Sequence, residues 1–236
     1  MLNAFDAEFS FIQEVLARRP RLVACDFDGT LWPHDAGSGF TAWEIAAGRV
    51  EAGTAAHVEQ QYARYLAGEV DEDAMCALQV TMHRGRDDAS LHRHADDYVR
   101  ETVVPQWFPG MQTLIQALRV QGCEIWLVSS SSQWVIGAGA RALGLDPSRV
   151  LAATAVIEAG RATDQLLRLP SGPGKAQAIR EVIGRQPDMA FGNSRWDAEM
   201  LQLAQRAYAI NPSVELEAMA LHSGWRIVRP LRADCT

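Results

Sequence analysis

The amino-acid sequence predicts an α/β protein with a parallel sheet and an all-helical insert, on two observations. From residue 105 onward, short apolar runs alternate with amphipathic helical patterns, which is typical of parallel strands joined by helices. Between residues 40 and 101 the patterns are helical and strand signals are absent. A chain of 236 residues is long enough for one core with one insertion.

Apolar spacing and chain breaks define each element in order. The helix expected at 5–18 presents apolar side chains near helical spacing and ends at Pro20, and the apolar run at 22–26 follows as the first strand. Further helices are expected at 40–48, 54–67, 71–83, 88–101, 110–121, 132–143, 174–184, 196–204 and 213–222. Further strands are expected at 124–128, 150–153, 188–191, 207–210 and 226–228, with a hairpin of 156–158 and 165–168 around Gly160.

The composition argues against several classes of protein. A net charge of -7 and the lack of any Lys/Arg stripe disfavour a nucleic-acid binder. No apolar run approaches the roughly 18 residues that span a membrane. Residues 1–6 lack the basic start and apolar stretch of a signal peptide. We therefore expect a cytoplasmic protein that contacts neither nucleic acid nor membrane.

The four cysteines indicate neither a zinc site nor a disulfide framework. Cys25, Cys76, Cys123 and Cys235 are widely spaced and include no C-x-x-C pair. They are expected to be ordinary buried or terminal thiols.

Two carboxylates stand one residue apart directly after the first strand, in the run Asp26-Phe27-Asp28-Gly29. Open α/β sheets bind ligands at the carboxyl ends of their strands. A buried aspartate needs a partner, and Mg²⁺ is a natural one. The pair can offer a carboxylate oxygen and a main-chain carbonyl to the metal while the second side chain serves proton transfer. The alternative is a hairpin turn at Asp28-Gly29 without chemistry.

A run of four serines that begins at Ser129 follows the strand expected at 124–128 and precedes an expected helix. A hydroxyl group and the free N–H groups of a helix start can hold a phosphoryl group. The alternative is that one serine merely caps the helix.

Lys175 follows the run Gly172-Pro173-Gly174 and opens the helix expected at 174–184. Lysine is electrostatically unfavourable at a helix amino terminus, so a function would explain the exception. Its ammonium can neutralise a nucleophilic carboxylate and a transferring phosphoryl group. The alternative is a solvated surface lysine.

Asn193 and Asp197 follow the strand expected at 188–191 and stand four residues apart. Oxygen ligands at such a turn suit Mg²⁺. The alternative is a helix start capped by Asn193 or Ser194, with Asp197 in the first turn.

These four motifs, in this order, resemble the haloacid dehalogenase superfamily over nearly the whole chain. The helical insert between the first and second motifs is similar to the cap of its phosphoserine-phosphatase-like branch. The resemblance implies a Rossmann-like core formed by residues 1–36 and 105–236, with a helical cap domain formed by residues 37–104.

The same resemblance implies roles for the motif residues. Asp26 is the expected nucleophile that forms an aspartyl-phosphate, and Asp28 is the acid that protonates the leaving oxygen and then activates water. Ser129 and Lys175 complete the expected catalytic set. The expected Mg²⁺ ligands are Asp26, the Asp28 carbonyl, Asn193 and Asp197, the last through water or as support. Substrate contacts are expected from Gly29, Thr30, Asp35 and Ser130.

Two departures from the family concern the metal and the substrate. Asn193 stands where most relatives have Asp, so we expect weaker Mg²⁺ binding. Cys76 stands about where phosphoserine phosphatases hold the substrate carboxylate with an Arg, and a thiol cannot replace a guanidinium. Phosphoserine is therefore disfavoured unless Arg64 or Arg84 reaches the same space, whereas Asp35 can still meet an amine.

A third departure is Trp196, which replaces a small polar residue. Together with Trp32, Trp43, Tyr62 and Tyr65 it allows an aromatic-lined pocket, which with Asp35 would suit a cationic head group such as phosphocholine. The alternative reading of Tyr62 and Tyr65, at i, i+3 spacing, is packing inside the cap.

The expected function is a Mg²⁺-dependent phosphatase of a small phosphomonoester. A phosphoryl transferase or mutase of the same superfamily would share Asp26 and Asp28 but pass the phosphoryl group to a sugar. A member that binds a phosphorylated metabolite with weak or no turnover is the non-enzymatic alternative, motivated by Asn193. The sequence leaves the metabolite, the pathway and the oligomeric state open.

Overall fold

Seven strands form one sheet in the computed structural model, which describes residues 4–232. The strands are β1 (Leu22–Cys25), β2 (Glu124–Ser132), β3 (Val150–Glu158), β4 (Arg161–Arg168), β5 (Met189–Gly192), β6 (Arg206–Ile210) and β7 (Arg226–Val228). The helices are α1 (Ala4–Ala17), α2 (Ala36–Ala46), α3 (Ala52–Leu66), α4 (Glu72–Thr81), α5 (Asp88–Tyr98), α6 (Pro109–Val120), α7 (Gln133–Ala142), α8 (Pro173–Ala178), α9 (Ala198–Leu203) and α10 (Val214–Ser223). Residues 1–3, which belong to the segment compared with a signal peptide, and Cys235, one of the four cysteines, lie outside the described residues.

The strand order is β4-β3-β2-β1-β5-β6-β7, which places β1 at the centre between β2 and β5. All neighbouring strands are parallel except β3 and β4, which form the predicted antiparallel hairpin. Val23 and Cys25 of β1 pack with side chains of α1, α6 and α7, whereas Ala24 packs with those of α9 and α10. Because helices cover both faces of the sheet, β1 is apolar throughout. The predicted α/β fold with a parallel sheet is confirmed.

The serine run lies within β2, which ends directly before α7. β2 continues to Ser132, beyond its predicted end at Val128, and α7 begins only at Gln133. After a shift in register, Ser132 pairs with Ala153 of β3, which prolongs β2 through the serines. Ser132 precedes α7 but makes no side-chain capping bond, so the capping alternative for this run is wrong.

Side-chain capping explains two other shifted helix starts, those of α2 and α9. α2 begins at Ala36, before its predicted start, because the Asp35 carboxylate accepts the Ser38 N–H at 2.7 Å and caps the helix. A single tight turn, Arg195–Asp197, precedes α9. α5 and α8 end earlier than predicted, and the chain continues from each as a π-helical turn, at Val99–Val103 and at Ile179–Ile183.

The helical insert contacts the sheet layer through α4, which packs against β2, β3 and β4, and through α5, which packs against α7. The Trp134 indole of α7 donates to Asp88 at 2.8 Å, and Arg141 of α7 forms an ion pair with Asp96 at 2.6 Å. α3 and α4 also contribute to a separate small apolar cluster. Its buried members are Val50, Val58, Met75 and Met82.

None of the helices in the described part of the chain is both long and apolar enough to cross a membrane. Cys25, Cys76 and Cys123 are buried free thiols.

Candidate active site

A cavity of about 430 Å³ opens at the carboxyl ends of β1, β2 and β5, beneath the helical insert. Seven of the predicted site residues line it: Asp26, Asp28, Gly29, Asp35, Ser130, Lys175 and Asn193. The other three, Thr30, Ser129 and Asp197, are buried behind this wall, and each bonds to a residue that lines it.

Lys175 joins two carboxylates at the floor of the cavity. Its ammonium donates to Asp26 Oδ1 at 2.7 Å and to Asp197 Oδ1 at 2.5 Å. The side chain is buried, and it is the only lysine in the 236-residue chain. These two anions raise the pKa of Lys175 against the effect of burial, so the group stays charged. The alternative of a solvated surface lysine is therefore wrong.

The Asp26 carboxylate is held in place by hydrogen bonds to both of its oxygens. Oδ1 accepts from Lys175, and Oδ2 accepts from the Thr30 hydroxyl at 2.7 Å. Burial and the neighbouring charge of Asp197 raise the pKa of Asp26 to about 7, although Lys175 opposes them. Thr30 thus supports Asp26 from below, and its side chain does not line the cavity.

Asp28 lies among four hydrogen-bond donors. Its Oδ1 accepts from the Ala36 N–H at 2.6 Å and from the Trp32 indole at 3.2 Å. Its Oδ2 accepts from the hydroxyls of Ser131 at 2.7 Å and Ser129 at 3.2 Å. Burial, with a contribution from Asp35, raises the pKa of Asp28 to about 6 against the effect of these donors. The side chain expected to be free for proton transfer is therefore oriented by its neighbours.

The turn at Asp28-Gly29 does not connect a hairpin. Both neighbours of β1 are parallel to it and lie far along the chain, so the hairpin alternative is wrong. Gly29 adopts a φ of 71°, which favours glycine. A Cβ placed on Gly29 would lie 1.8 Å from Asn193 Nδ2, so the chain passes directly against that side chain.

The serines of β2 divide into two groups. Ser130 lines the cavity, whereas Ser129 and Ser131 turn toward Asp28. The Ser131 N–H also donates to Ser129 Oγ at 3.0 Å, which fixes that hydroxyl. Ser131 was not predicted as a site residue; its place in the serine run was the only signal for it.

Asp197 is both a helix cap and a partner of Lys175. Its Oδ2 accepts the N–H groups of Asn193 and Ser194, each at 2.9 Å, while Oδ1 faces the ammonium. The capping alternative for this turn is therefore correct, with Ser194 as the cap residue, and it coexists with a place in the site. Because both carboxylate oxygens are engaged, Asp197 supports the site from behind Asn193.

The donor set fits a divalent cation. Asp26, Asp28 and Asp197 carry three carboxylates around one ammonium, and this excess of buried negative charge favours a cation. In residues 4–232 no three Asp, Glu, His or Cys side chains form a ready metal cluster. The predicted ligand set contains only two such side chains, those of Asp26 and Asp197. Its other members are the main-chain carbonyl of Asp28 and the amide oxygen of Asn193. Oxygen donors of this kind suit Mg²⁺.

The helical insert contributes two residues to the cavity that were not assigned to the site. Glu72, in the first turn of α4, and Tyr65, near the end of α3, both line it. The Tyr65 hydroxyl donates to Glu72 at 2.5 Å. In the sequence Glu72 is an ordinary acidic residue at a helix start, so no pattern distinguished it.

The predicted aromatic lining is only partly present. Tyr65 and Trp196 line the cavity, but Trp32 is buried against Asp28 and Trp43 packs beneath the Arg49 guanidinium at 4.0 Å. Tyr62 does not line this cavity and packs on the apolar cluster of α3 and α4. The packing alternative is thus correct for Tyr62, whereas Tyr65 reaches the site.

The family model of haloacid dehalogenase-like hydrolases matches residues 23–202, which cover most of the chain and all four motifs. The chain therefore belongs to this family of hydrolases.

Relatives and solved structures agree with the predicted branch. Phosphoserine phosphatase SerB1 of Mycobacterium tuberculosis is 31% identical over 150 residues, 61% of this chain and 48% of that protein. Histidinol-phosphatase of Neisseria meningitidis is 24% identical over 221 residues, 88% of this chain and 97% of that protein. A crystal structure of a Bordetella pertussis protein of unknown function has a TM-score of 0.78, with 22% identity over 88% of this chain and 97% of its own. The predicted resemblance to the superfamily and to its phosphoserine-phosphatase-like branch is confirmed.

The chain spans only 48% to 62% of the length of the mycobacterial relatives that it matches. The activity and substrates of those longer proteins therefore bear on this chain only as proposals.

Proposed function

We propose that this protein is a Mg²⁺-dependent phosphatase that hydrolyses a small phosphomonoester through an aspartyl-phosphate on Asp26. The observation that carries the proposal is the contact of the buried Lys175 ammonium with Asp26 Oδ1 at 2.7 Å. A carboxylate held by one cation at the floor of a cavity is oriented as a nucleophile, and the same cation opposes the charge of an incoming phosphoryl group. The match to the hydrolase family supports this chemistry.

The reaction divides into two displacements at phosphorus. An oxygen of Asp26 forms a bond to phosphorus while the ester oxygen leaves, and Asp28 gives that oxygen a proton, so the first product is an alcohol. Asp28, now ionised, takes a proton from water, whose oxygen displaces Asp26 and releases inorganic phosphate. A pKa of about 6 leaves about a tenth of Asp28 protonated at pH 7, which suits an acid that must also act as a base.

The other predicted residues surround the phosphoryl group. The Ser130 N–H is proposed to donate to its oxygens, with Lys175 opposing their negative charge. The Ser129 hydroxyl, predicted for the same role, is buried and donates to Asp28 Oδ2 at 3.2 Å, so it is proposed to orient that carboxylate. Asp26, the Asp28 carbonyl and Asn193 are proposed to hold Mg²⁺, with Asp197 in support. When bound, Mg²⁺ would neutralise the anions that meet at this site.

The helical residues 37–104 are proposed to act as a cap domain over the cavity. Tyr65 and Glu72 support this division, because they reach the cavity from α3 and α4 and face the motif residues of the sheet. The cavity of about 430 Å³ is of a size that suits a small phosphorylated metabolite.

Phosphate release from 4-nitrophenyl phosphate, with Mg²⁺ and with a chelator, tests the proposed function. We expect Mg²⁺-dependent release that is lost in Asp26→Asn, whose side chain has the same shape but is no longer an anionic nucleophile. The absence of release at every Mg²⁺ concentration would favour the non-enzymatic alternative. Transfer of the phosphoryl group to an added sugar in preference to water would favour the phosphoryl transferase.

The variant Asn193→Asp tests the proposed metal position. A carboxylate at this position adds one negative charge to the ligand set, so we expect half-maximal activity at about tenfold lower Mg²⁺ concentration. Asn193→Ala, which removes the amide oxygen, should raise that concentration. An unchanged or weaker Mg²⁺ dependence in Asn193→Asp would show that this side chain is not a ligand.

A further inference from the structure

We infer that the substrate carries an ammonium group with N–H donors and no carboxylate, and that Glu72 determines this specificity. The inference rests on the phosphatase function proposed above and concerns the end of the cavity that the cap helices form. Glu72 and Asp35 line the same cavity as Asp26 and Lys175, so a molecule placed for phosphoryl transfer meets them with its other end.

Glu72 is held in position without being neutralised. Its Oε2 accepts from the Tyr65 hydroxyl at 2.5 Å, and its Oε1 lies 3.6 Å from the Cys76 thiol. Among residues 4–232, no Lys, Arg or His forms an ion pair with Glu72 or with Asp35. Two oriented carboxylates without a cation form an acceptor site for a positively charged donor.

The two carboxylates also act on each other. Desolvation within the cavity and the charge of Glu72 raise the pKa of Asp35, against the Ser38 N–H that its carboxylate accepts. A ligand cation between them would relieve this repulsion.

No arginine side chain of the described residues lines the cavity. Arg64 bonds to Glu69, Arg84 pairs with Asp164, and neither side chain lines the cavity. The only ammonium on the cavity wall, that of Lys175, is held by two carboxylates at the opposite end. A carboxylate near Glu72 would therefore meet two carboxylates, and within residues 4–232 His34 is the only other residue lining the cavity, besides Lys175, that can carry a positive charge.

The cavity also favours N–H donors over a quaternary ammonium. Recognition of a trimethylammonium group requires aromatic faces around it. Only Tyr65 and Trp196 contribute large aromatic rings to the wall, and the Arg195 guanidinium already covers the Trp196 ring at 4.2 Å. Carboxylate acceptors instead favour a group that donates hydrogen bonds, so the phosphocholine-like head group considered from the sequence is disfavoured.

The test compares kcat/KM for phosphomonoesters that differ in one group. The probes are 2-aminoethyl and 3-aminopropyl phosphate, 2-hydroxyethyl phosphate, O-phosphoserine, which adds a carboxylate to the 2-aminoethyl compound, and phosphocholine, which adds three methyl groups. We expect kcat/KM for the better of the two aminoalkyl esters to be at least about tenfold higher than for each of the other three compounds. A factor of about ten is the scale of one hydrogen bond to a charged group.

Two variants assign the effect to Glu72. In Glu72→Gln the ratio of kcat/KM for the aminoalkyl ester to that for 2-hydroxyethyl phosphate should fall about tenfold. Asp73→Asn is the matched control, because Asp73 is exposed in the same first turn of α4, carries the same charge and does not line the cavity. The ratio should remain at the wild-type value in this control. Tyr65→Phe, which removes the hydroxyl that holds Glu72, should lower the ratio to a smaller extent.

The outcomes separate the two proposals. If 4-nitrophenyl phosphate is hydrolysed but the aminoalkyl esters have no advantage, or O-phosphoserine or phosphocholine is preferred, the inference is wrong and the phosphatase function stands. Equal falls of the ratio in Glu72→Gln and Asp73→Asn would also overturn it, because they would indicate a general effect of charge. If neither 4-nitrophenyl phosphate nor any of the five other phosphomonoesters is hydrolysed, both proposals are wrong.

Discussion

The Lys175 ammonium lies 2.5 Å from the Asp197 carboxylate and 2.7 Å from the Asp26 carboxylate, so one cation joins two buried anions. Asp197 is itself fixed by the N–H groups of Asn193 and Ser194 at the end of β5. The position of Asp26 at the end of β1 is therefore linked through Lys175 to the neighbouring strand. The same cation has a structural role and a place in the proposed chemistry.

Replacing Lys175 should affect stability and activity together. Lys175→Met leaves two buried carboxylates without their cation, which should lower the free energy of unfolding by about 3 to 5 kcal/mol at pH 8. Phosphate release should fall below detection. Lys175→Arg should also be inactive, because a planar guanidinium is not equivalent to the compact ammonium at a buried contact. Urea unfolding and phosphate release measure the two effects.

The control for this change is Arg180→Met, which removes an exposed positive charge a few residues farther along the chain. Arg180→Met should leave the free energy of unfolding and the rate of phosphate release close to those of the wild type. Retention of full stability in Lys175→Met would show that the two carboxylates do not depend on the ammonium.

Gly29 should not tolerate a side chain, because its main chain lies directly against the Asn193 side chain, a proposed Mg²⁺ ligand. In Gly29→Ala the new Cβ would overlap Asn193 Nδ2, in addition to the cost of a φ of 71° for alanine. We expect Asn193 to be displaced and kcat/KM to fall about a hundredfold. Phosphate release as a function of Mg²⁺ concentration would report this displacement.

Gly68 provides the matched control for this strain. Its φ is 76°, but a Cβ placed there would have no atom within 4 Å. Gly68→Ala should therefore lose only about 1 kcal/mol of stability and keep its activity. Similar losses of activity in both variants would mean that backbone conformation, and not the contact with Asn193, causes the effect.

The sequence predicted the site well where its residues follow strands of one sheet. Asp26, Ser130 and Asn193 reach the cavity because parallel strands bring their carboxyl ends to one edge. Lys175 also reaches it, but from α8, which follows the antiparallel strand β4, so this rule does not explain its position. Their functional types were also recognisable, since carboxylates after apolar strands have few structural uses.

The sequence did not predict contacts that depend on packing between distant elements. Glu72 and Tyr65 reach the cavity only because α3 and α4 pack together above it, and each also has an ordinary reading as a helix residue. Similarly, the extension of β2 to Ser132 depends on pairing with β3, and no pattern in the serines themselves predicts that pairing.

The helical insert contains a second buried charge, and its removal should destabilise the protein without changing the cavity. Glu44 of α2 is fully buried, forms an ion pair with Arg86 and lies 3.0 Å from His94 Nδ1. Glu44→Gln leaves the partially buried Arg86 without its anion, so the free energy of unfolding should fall by about 3 to 5 kcal/mol. Urea unfolding measures the change.

Glu69→Gln is the control, because Glu69 pairs with Arg64 on the surface with both side chains about half exposed. It should change stability by less than about 1 kcal/mol. An equal, small loss in both variants would mean that the buried pair contributes no more than the exposed one.

His83 should make the stability of the protein fall as the solution becomes acidic. Its side chain is fully buried beside Arg86, and burial together with the charges of Arg86 and His94 lowers its pKa to about 3. The unfolded chain takes up this proton near pH 6.5 and the folded chain does not, so folding loses stability as pH falls from 6.5 toward 3. Between pH 7 and pH 5 the contribution of this group is about 2 kcal/mol.

Urea unfolding at pH 7 and pH 5 isolates this effect when the wild type is compared with His83→Gln, which cannot titrate. The wild type should lose about 2 kcal/mol more than the variant over this interval, because all other titrating groups are common to both. His222→Gln, a change at an exposed histidine of α10, should follow the wild type. Equal losses in the wild type and His83→Gln would mean that His83 takes up its proton in the folded protein as readily as in the unfolded chain.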